Sequence, residues 1–390
     1  MVTSADNAPA APRQPSAVML GTYDLGKPRT RLLRDAMRQI DPSMRELHVD
    51  VWRGVEDKSV SGPAARLAVL GRLLLAYPLL AVRYLLAGRH DVVVIGYLGL
   101  FDVLLLGPLA RLRGKPVVWD AFLSVYDTWV NDRGMAATGT LRARAIRLAE
   151  RWAGRLATRI VLDTRAHAAL MGDLHDIHPG KLDAVLVGAE ESAFAPAGAI
   201  RNDARPVEVL FYGQFIPLHG IDTIVDAGLM PRGKSFRWTL VGQGQEAPRI
   251  DARLADQDAD HVTRIAWVDY AGLSDLMAKA DICLGIFGTS DKAARVIPNK
   301  VYQALLAGKP LITRASPAME ELVEGNEDGL YLVPEADPVA LLDALDRFAA
   351  ERERLPADLH GDLRARFAMP ALVGQWRDVI DRALEGRRLR

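Results

Sequence analysis

The chain has 390 residues, too many for one ordinary domain, so two domains of roughly 150–200 residues each are expected. Hydrophobic residues make up 49%, enough for two sizeable cores, and Lys+Arg balance Asp+Glu at 49 each, which excludes the global basic field that would argue for nucleic acid. A single cysteine, Cys283 in the apolar run ADICLGIFG, rules out an intramolecular disulfide and a cysteine-based zinc cluster, suits a reducing cytoplasm and reads as a small buried hydrophobe.

Residues 1–16, rich in Ala, Pro and Ser, read as a disordered tail without the basic and apolar regions of a signal peptide. AVMLGTY is a strand, Gly26-Lys27-Pro28 a turn, and Arg29 to Ile40 a helix; ELHVDVW is a second strand. An apolar helix then runs from Ala64 to Leu86, with a break expected near Pro78. Its densest part, Leu73 to Val82, is about half the ~20 residues that span a bilayer and is bracketed by Arg72 and Arg83, so no spanning segment is expected. Two readings fit this helix: one packs it on a sheet, the other lays it at a membrane surface with its arginines on anionic lipid. DVVVIG, PVVWD, RIVLDT and LDAVLVG are further strands, alternating with helices that include Leu141 to Leu156. His175 and His178 are the only close histidine pair and lack metal-site spacing.

The Ala/Pro/Gly-rich segment Gly188 to Pro206 reads as a linker. A second series follows: VEVLFYG, FRWTLVG, HVTRIAWV, DICLGIFG, PLIT and GLYLV as strands, with helices between them and two more near Pro338–Glu351 and Met369–Leu384. This alternation predicts an α/β protein of two doubly wound, Rossmann-like domains facing across a cleft, with ligands beyond the carboxyl ends of the strands.

The most informative run is KAARVIPNKVYQALLAGKPLIT, Lys292 to Thr313. Asn299 is the expected N-cap, Val301, Ala304 and Leu305 form the buried face, and Gly308 followed by Pro310 ends the helix. Lys300 and Gln303 then share a face at the positive end of the helix dipole, suited to an anionic, hydroxyl-bearing ligand, although an ordinary solvated helix fits the same residues. Gly213, Gly242, Gly244 and Gly288 follow apolar strands, where a missing side chain lets backbone N–H groups approach phosphate. VGQGQE lacks the third glycine of a dinucleotide fingerprint, and no phosphate-binding P-loop motif occurs. HGIDTIVDAG opens a helix at Gly220 on the same edge, with His219 either a loop residue or a phosphate ligand. DQDAD, Asp256 to Asp260, contains a D-x-D pattern but reads as a solvated turn. Asp120 ends a buried strand where it would face the cleft and position or deprotonate a hydroxyl, or else cap the next helix. No Gly-x-Ser-x-Gly elbow accompanies a serine.

Together these residues resemble the family 4 glycosyltransferases of the GT-B fold, over essentially the whole chain after residue 16. The Lys292–Thr313 run is similar to the family's donor-site helix, FYGQFIPLHGIDTIVDA to its G-R…K-G-x-D segment, LVGQGQE to its G-x-G-x-E segment, and LVGAEESAFAP to the run entering its linker. The resemblance implies an acceptor-side domain over 17–195, a nucleotide-sugar domain over 206–368, and a last helix, 369–390, crossing back to the first domain. It implies retaining transfer of a hexose-type sugar from a UDP- or GDP-sugar, with no cofactor and no metal. Asp120 and Lys300 would act at the reacting centre. Donor binding would involve Gly213, Gln214, His219, Gly220, Gly242 and Gly288 with Thr289, Phe287 facing the sugar or its phosphates, and Trp267 and Val268 holding the base. Asn299, Asp291 and Arg295 lie on the same segment, and Gln303 stands where the family has a ribose-binding glutamate. Gln214 and His219 replace an arginine and a lysine, and Arg295 an acidic residue. Gly26, Arg29, Tyr97 and Tyr126 would line an acceptor or diphosphate loop.

The expected partners are the nucleotide-sugar donor and a small-molecule, glycan or lipid-linked acceptor. A cytoplasmic location is expected, with the apolar helix and the basic end GRRLR at the inner face of an anionic plasma membrane, and no nucleic acid. The departures at Gln214, Gln303 and Arg295 keep open a GT-B protein that binds nucleotide or glycan without transfer, or a GT-B sugar-nucleotide epimerase.

Overall fold

The computed structural model describes residues 14–54, 63–194 and 205–388; parts of the amino-terminal tail and of the linker, and the last two residues of GRRLR, lie outside the described residues. The first domain holds strands β1 (Ala17–Gly21), β2 (Arg45–His48), β3 (Val92–Ile95), β4 (Val117–Phe122), β5 (Arg159–Leu162) and β6 (Leu182–Ala184), in the spatial order β2-β1-β3-β4-β5-β6. The second holds β7 (Glu208–Tyr212), β8 (Arg237–Val241), β9 (Val262–Ile265), β10 (Ile282–Leu284), β11 (Leu311–Arg314) and β12 (Leu330–Val333), in the order β12-β11-β10-β7-β8-β9. Every strand pairing is parallel. Helices cover both faces, so β3 is buried along its whole length as VVVI and β11 as LITR. In each sheet the strand order reverses once, at β1/β3 and at β7/β10, and the crevice for a ligand opens at those carboxyl ends.

Helix bounds agree with the sequence reading at Leu141–Leu156 and Pro338–Glu351. The break expected at Pro78 does not occur: one helix runs from Pro63 to Leu86. Proline deprives the Leu74 carbonyl of its partner, but Leu74 lies on the exposed side, where water replaces the lost bond.

The final helix, Met369–Arg388, packs on the first domain, burying Leu372, Trp376, Val379, Ile380 and Ala383 among Leu32, Leu33, Ala36 and Met37 of helix Pro28–Ile40. Arg29 sits at this junction. Its guanidinium donates to both Asp120 carboxylate oxygens at 2.8–3.2 Å and to the carbonyls of Val185 (2.6 Å) and Leu186 (3.1 Å). It also stacks 5.1 Å from the Trp376 ring. The pair is sealed, with side chains 2% and 0% exposed.

Elsewhere the domains meet through apolar packing, such as Leu123 against Leu218, Ile286, Ala293 and Val296, and through polar contacts. Glu321 of the second domain accepts from the backbone N–H groups of Arg165 (2.7 Å) and Ala166 (2.8 Å), at the start of the first-domain helix Arg165–His175. The Thr164 hydroxyl donates to the Arg295 carbonyl, and the Lys292 ammonium donates to the Thr128 hydroxyl at 2.8 Å.

Asp120→Ala leaves the Arg29 cation buried without its carboxylate, so a loss of about 3–5 kcal/mol is expected. Urea unfolding reads this directly, and an unchanged midpoint would refute the structural role of the pair.

Candidate active site

The carboxyl ends of β7, β8 and β10 meet backbone to backbone. Gly242, at φ +152°, turns its Cα so that a side chain there would stand 1.8 Å from the Gly213 carbonyl oxygen. Gly220, at φ +61°, lies so close to the next loop that a Cβ would reach the Gly288 nitrogen at 2.4 Å. These glycines bring loops together, which differs from the expected use of their N–H groups on phosphate. The N–H of Gly213 is committed to Val241 and that of Gly242 to Ile265, both at 2.9 Å.

Lys300 projects into the gap left by Gly213. A Cβ on that glycine would lie 2.8 Å from the Lys300 nitrogen and 3.0 Å from His219 Cε1. The ammonium stands 3.9 Å over the Phe211 ring and, though buried, has no hydrogen-bond partner. Burial therefore holds its pKa well below the ordinary lysine value. The Nδ1–H of His219 donates to the Gln214 carbonyl, which fixes the tautomer and leaves Nε2 as the acceptor. Burial, then the nearby Lys300 charge, push His219 well below the usual histidine range, so its ring is neutral. The helix behind Lys300 starts differently from expectation. Pro298 occupies the extended cap position (φ −70°, ψ 150°), without a side-chain cap, and Asn299 is already helical. Proline's fixed φ sets up that entry without help from the asparagine side chain. Gly308 does take the left-handed conformation, at φ +64°.

Several other expected donor residues are spread around this centre. Gln303 shares the helix with Lys300 and is buried, Gln214 and Thr289 are exposed, and Trp267 is 69% exposed past the edge strand β9, with Val268 packed partly on the core. Phe287 does not face the cleft: its ring is fully buried in the second-domain core, and only its backbone takes part, its N–H donating to the His219 carbonyl at 3.1 Å. Arg295 pairs loosely with Asp291 at 3.7 Å, and its buried Nε has no partner. Arg314, which the sequence reading passed over, donates to the Gly288 carbonyl and pairs with Glu335, pinning the loop after β10. Its signal was a charged residue ending an apolar strand.

The first-domain residues differ more from expectation. Asp120 is locked to Arg29 and faces inward, so neither residue offers a free group to a substrate. Burial pushes the Asp120 carboxyl up, offset in part by the Arg29 charge. Tyr126 is buried in a small core with Val130, Ala136 and Ala143. Gly26 is exposed in a turn closed by Asp24, whose carboxylate accepts from its N–H at 2.8 Å. Tyr97 packs edge-on against Phe122 at 4.9 Å. Its neighbour Leu98 and Phe122 itself hold φ values of +71° and +60°, strained for such side chains and grouped at the cleft edge.

Beyond β4 the chain enters a π-helical turn, Asp127–Asp132. Arg133 closes it; its buried Nε has no partner, and its charge acts on Tyr97, His219 and Lys292 together. This second cation on the cleft was not legible in sequence, because only the turn brings it there. Ser124, His167 and Asp163 lie together without forming a nucleophilic triad. His167 Nδ1 pairs with Asp163 at 2.8 Å, but its Nε2 meets the Ser124 backbone N–H at 3.4 Å, while the serine hydroxyl donates to the buried Glu150. His175 is buried 3.1 Å from Glu150, and His178 caps Gly180. Among the described residues no three His, Cys, Asp or Glu side chains group as a metal site, and Asp258 of DQDAD pairs with Lys234 at the surface.

Two Rossmann-like domains of six parallel strands, with one domain's strand-end loops gathered around a buried lysine, define a GT-B protein. Residues 206–351, most of the second domain, match the family model Glycosyl transferases group 1. Among solved structures it is similar to sucrose-phosphate synthase from Thermosynechococcus elongatus (17% identity, 96% of this chain and 100% of that one, TM-score 0.69). It is similar also to HepE from Anabaena in complex with UDP (13%, 94% and 99%, 0.64) and to the lipopolysaccharide outer core galactosyltransferase WaaB (12%, 94% and 98%, 0.63). No curated protein matches it in sequence.

Gly242→Ala combines a positive φ with a backbone clash and should cost roughly 3 kcal/mol or more. Gly325→Ala, at φ +89° with nothing within 4 Å, carries the strain alone and should cost only about 1 kcal/mol. Equal losses in denaturant titrations would show that loop packing is not what selects glycine at Gly242.

Proposed function

We propose that the chain transfers a hexose from a UDP- or GDP-sugar to a hydroxyl acceptor with retention and without a metal. The observation that carries this reading is the buried Lys300 ammonium without a counter-ion, between Gly213 and His219. A buried charge is costly unless paired, and a diphosphate entering the gap would pair it. Arg133 and Arg295, each with a buried unpartnered Nε, would add charge that Gln214 and His219 do not carry. Trp267, exposed at the edge, suits stacking on a base, and Gln303 suits a ribose hydroxyl as donor and acceptor. Similar structures hold UDP, UDP-glucose, or UDP with glucose.

With Asp120 sealed against Arg29, its carboxylate does not serve as the base. The acceptor proton would then pass to the departing phosphate oxygen as the C1–O bond to diphosphate breaks and the acceptor oxygen bonds C1 on the same face. Cations fixed around the diphosphate stabilise the charge that develops. The same sealed carboxylate favours a second reading, a protein that binds nucleotide without transfer. Sustained release of nucleoside diphosphate from a donor sugar in the presence of acceptor distinguishes the two.

Lys300→Met should abolish the thermal stabilisation given by UDP or GDP, while the ligand-free variant melts no lower than the parent. Undiminished stabilisation of the variant would sink the assignment. The pH dependence has a definite sign. Between the depressed pKa of Lys300 and its ordinary 10.5, the unfolded chain binds the extra proton, so ligand-free stability rises with pH. Diphosphate binding restores the charge and takes up a proton, so affinity falls as pH rises through that window. Calorimetry in buffers of different ionisation enthalpy measures the uptake.

A further inference from the structure

We propose that the outer face of three consecutive first-domain helices docks on an anionic bilayer surface. The helix Pro63–Leu86 contains a stretch, Leu67–Leu86, long and apolar enough to cross a membrane, yet only 17% of the apolar window is buried. A helix of the protein core would show the opposite. Its inward stripe is narrow: Ala76, Leu80 and Tyr84 are buried, one helical turn apart. Leu67, Leu74, Leu75 and Leu86 point outward, each 67–80% exposed. The neighbouring helix Leu100–Leu112 continues the face with Phe101, Leu105 and Leu112, and the next, Leu141–Leu156, with Leu141, Leu148 and Trp152. Exposed apolar surface continuous over three helices exceeds what scattered surface leucines produce.

The charge on this face selects the occupant. Helix Pro63–Leu86 has no Asp or Glu, and the one carboxylate on each of the other two, Asp102 and Glu150, is fully buried. Asp102 accepts from Thr22, and Glu150 from Ser124, Val125 and Tyr126. The exposed charges left are arginines: Arg72, Arg83, Arg111, Arg142, Arg144 and Arg155 among them. A cavity of ≈ 390 Å³ at the end of helix Leu100–Leu112 is lined by Arg111, Lys115 and Lys181, and by Arg159 and Arg382, which share the single carboxylate of Asp183. In a chain with no net charge, exposed apolar surface and an excess of exposed arginines thus coincide on these helices, as a phosphate-bearing lipid surface requires. The helix lies on the bilayer and does not cross it. Crossing would pull Ala76, Leu80 and Tyr84 out of the core and break the Arg113 bonds to the Tyr84 (2.6 Å) and Ala87 (2.6 Å) carbonyls.

The test is flotation of the full chain with phosphatidylcholine vesicles, with and without phosphatidylglycerol, alongside its mass in solution by light scattering. The protein should float with the phosphatidylglycerol vesicles. Leu75→Asp with Leu86→Asp should lower the floated fraction roughly tenfold or more, and Arg142→Glu with Arg144→Glu should lower it on anionic vesicles, in both cases without change in melting temperature. Protein that stays unbound on both vesicles overturns the proposal. Equal flotation on both overturns the anionic assignment. A dimer that the leucine substitutions convert to monomer, without vesicle binding, assigns the face to a second copy instead. None of these readouts depends on sugar transfer.

Discussion

The ion pair between Arg29 and Asp120 joins four distant parts of the chain. Arg29 opens the first long helix, Asp120 lies on β4, the carbonyls of Val185 and Leu186 lie just beyond β6, and Trp376 comes from the final helix. A guanidinium in a closed site must satisfy several donors at once, and here two oxygens of one carboxylate and two carbonyls do so. The return of the last helix is thereby built into the first domain's core. Charge at this position serves the assembly of the first domain and is not offered to the cleft.

The opposite wall of the cleft is economical in charge. Its histidine is neutral, its glutamines are neutral, and its lysine is held in surroundings that disfavour its proton. A buried ammonium without a counter-ion is the charge that such surroundings leave uncompensated. The loops around it are held by backbone contact and by Arg314 on the Gly288 carbonyl, leaving little freedom to re-form on binding. Cations fixed before the anion arrives do not have to reorganise as negative charge builds on a leaving group.

Much of this was legible in the sequence, for identifiable reasons. Parallel strands buried on both faces read as apolar runs, and helices between them carry their own punctuation, so Leu141–Leu156 and Pro338–Glu351 could be bounded from local chemistry. Gly308 marked a helix end because few other residues take its φ cheaply. Direction at the strand ends was not legible. Whether Asp120 or Phe287 turns toward the cleft or the core depends on partners far away in sequence, Arg29 in one case and the second-domain core in the other. The helix Pro63–Leu86 posed the same problem: apolar on nearly every side, it carries no periodicity that tells inside from outside, and only the packed stripe of Ala76, Leu80 and Tyr84 orients it.

Glu321 gives the two domains a mechanical relation. Its carboxylate caps a helix belonging to the other domain, so the positive end of that helix is neutralised only while the domains touch. Separating them strands two amide hydrogens and returns a carboxylate to water, while at Lys292 an ammonium leaves the Thr128 hydroxyl. Parting the domains must work against this latch, whose strength resides in Glu321 and Lys292, side chains set apart from the gap at Gly213.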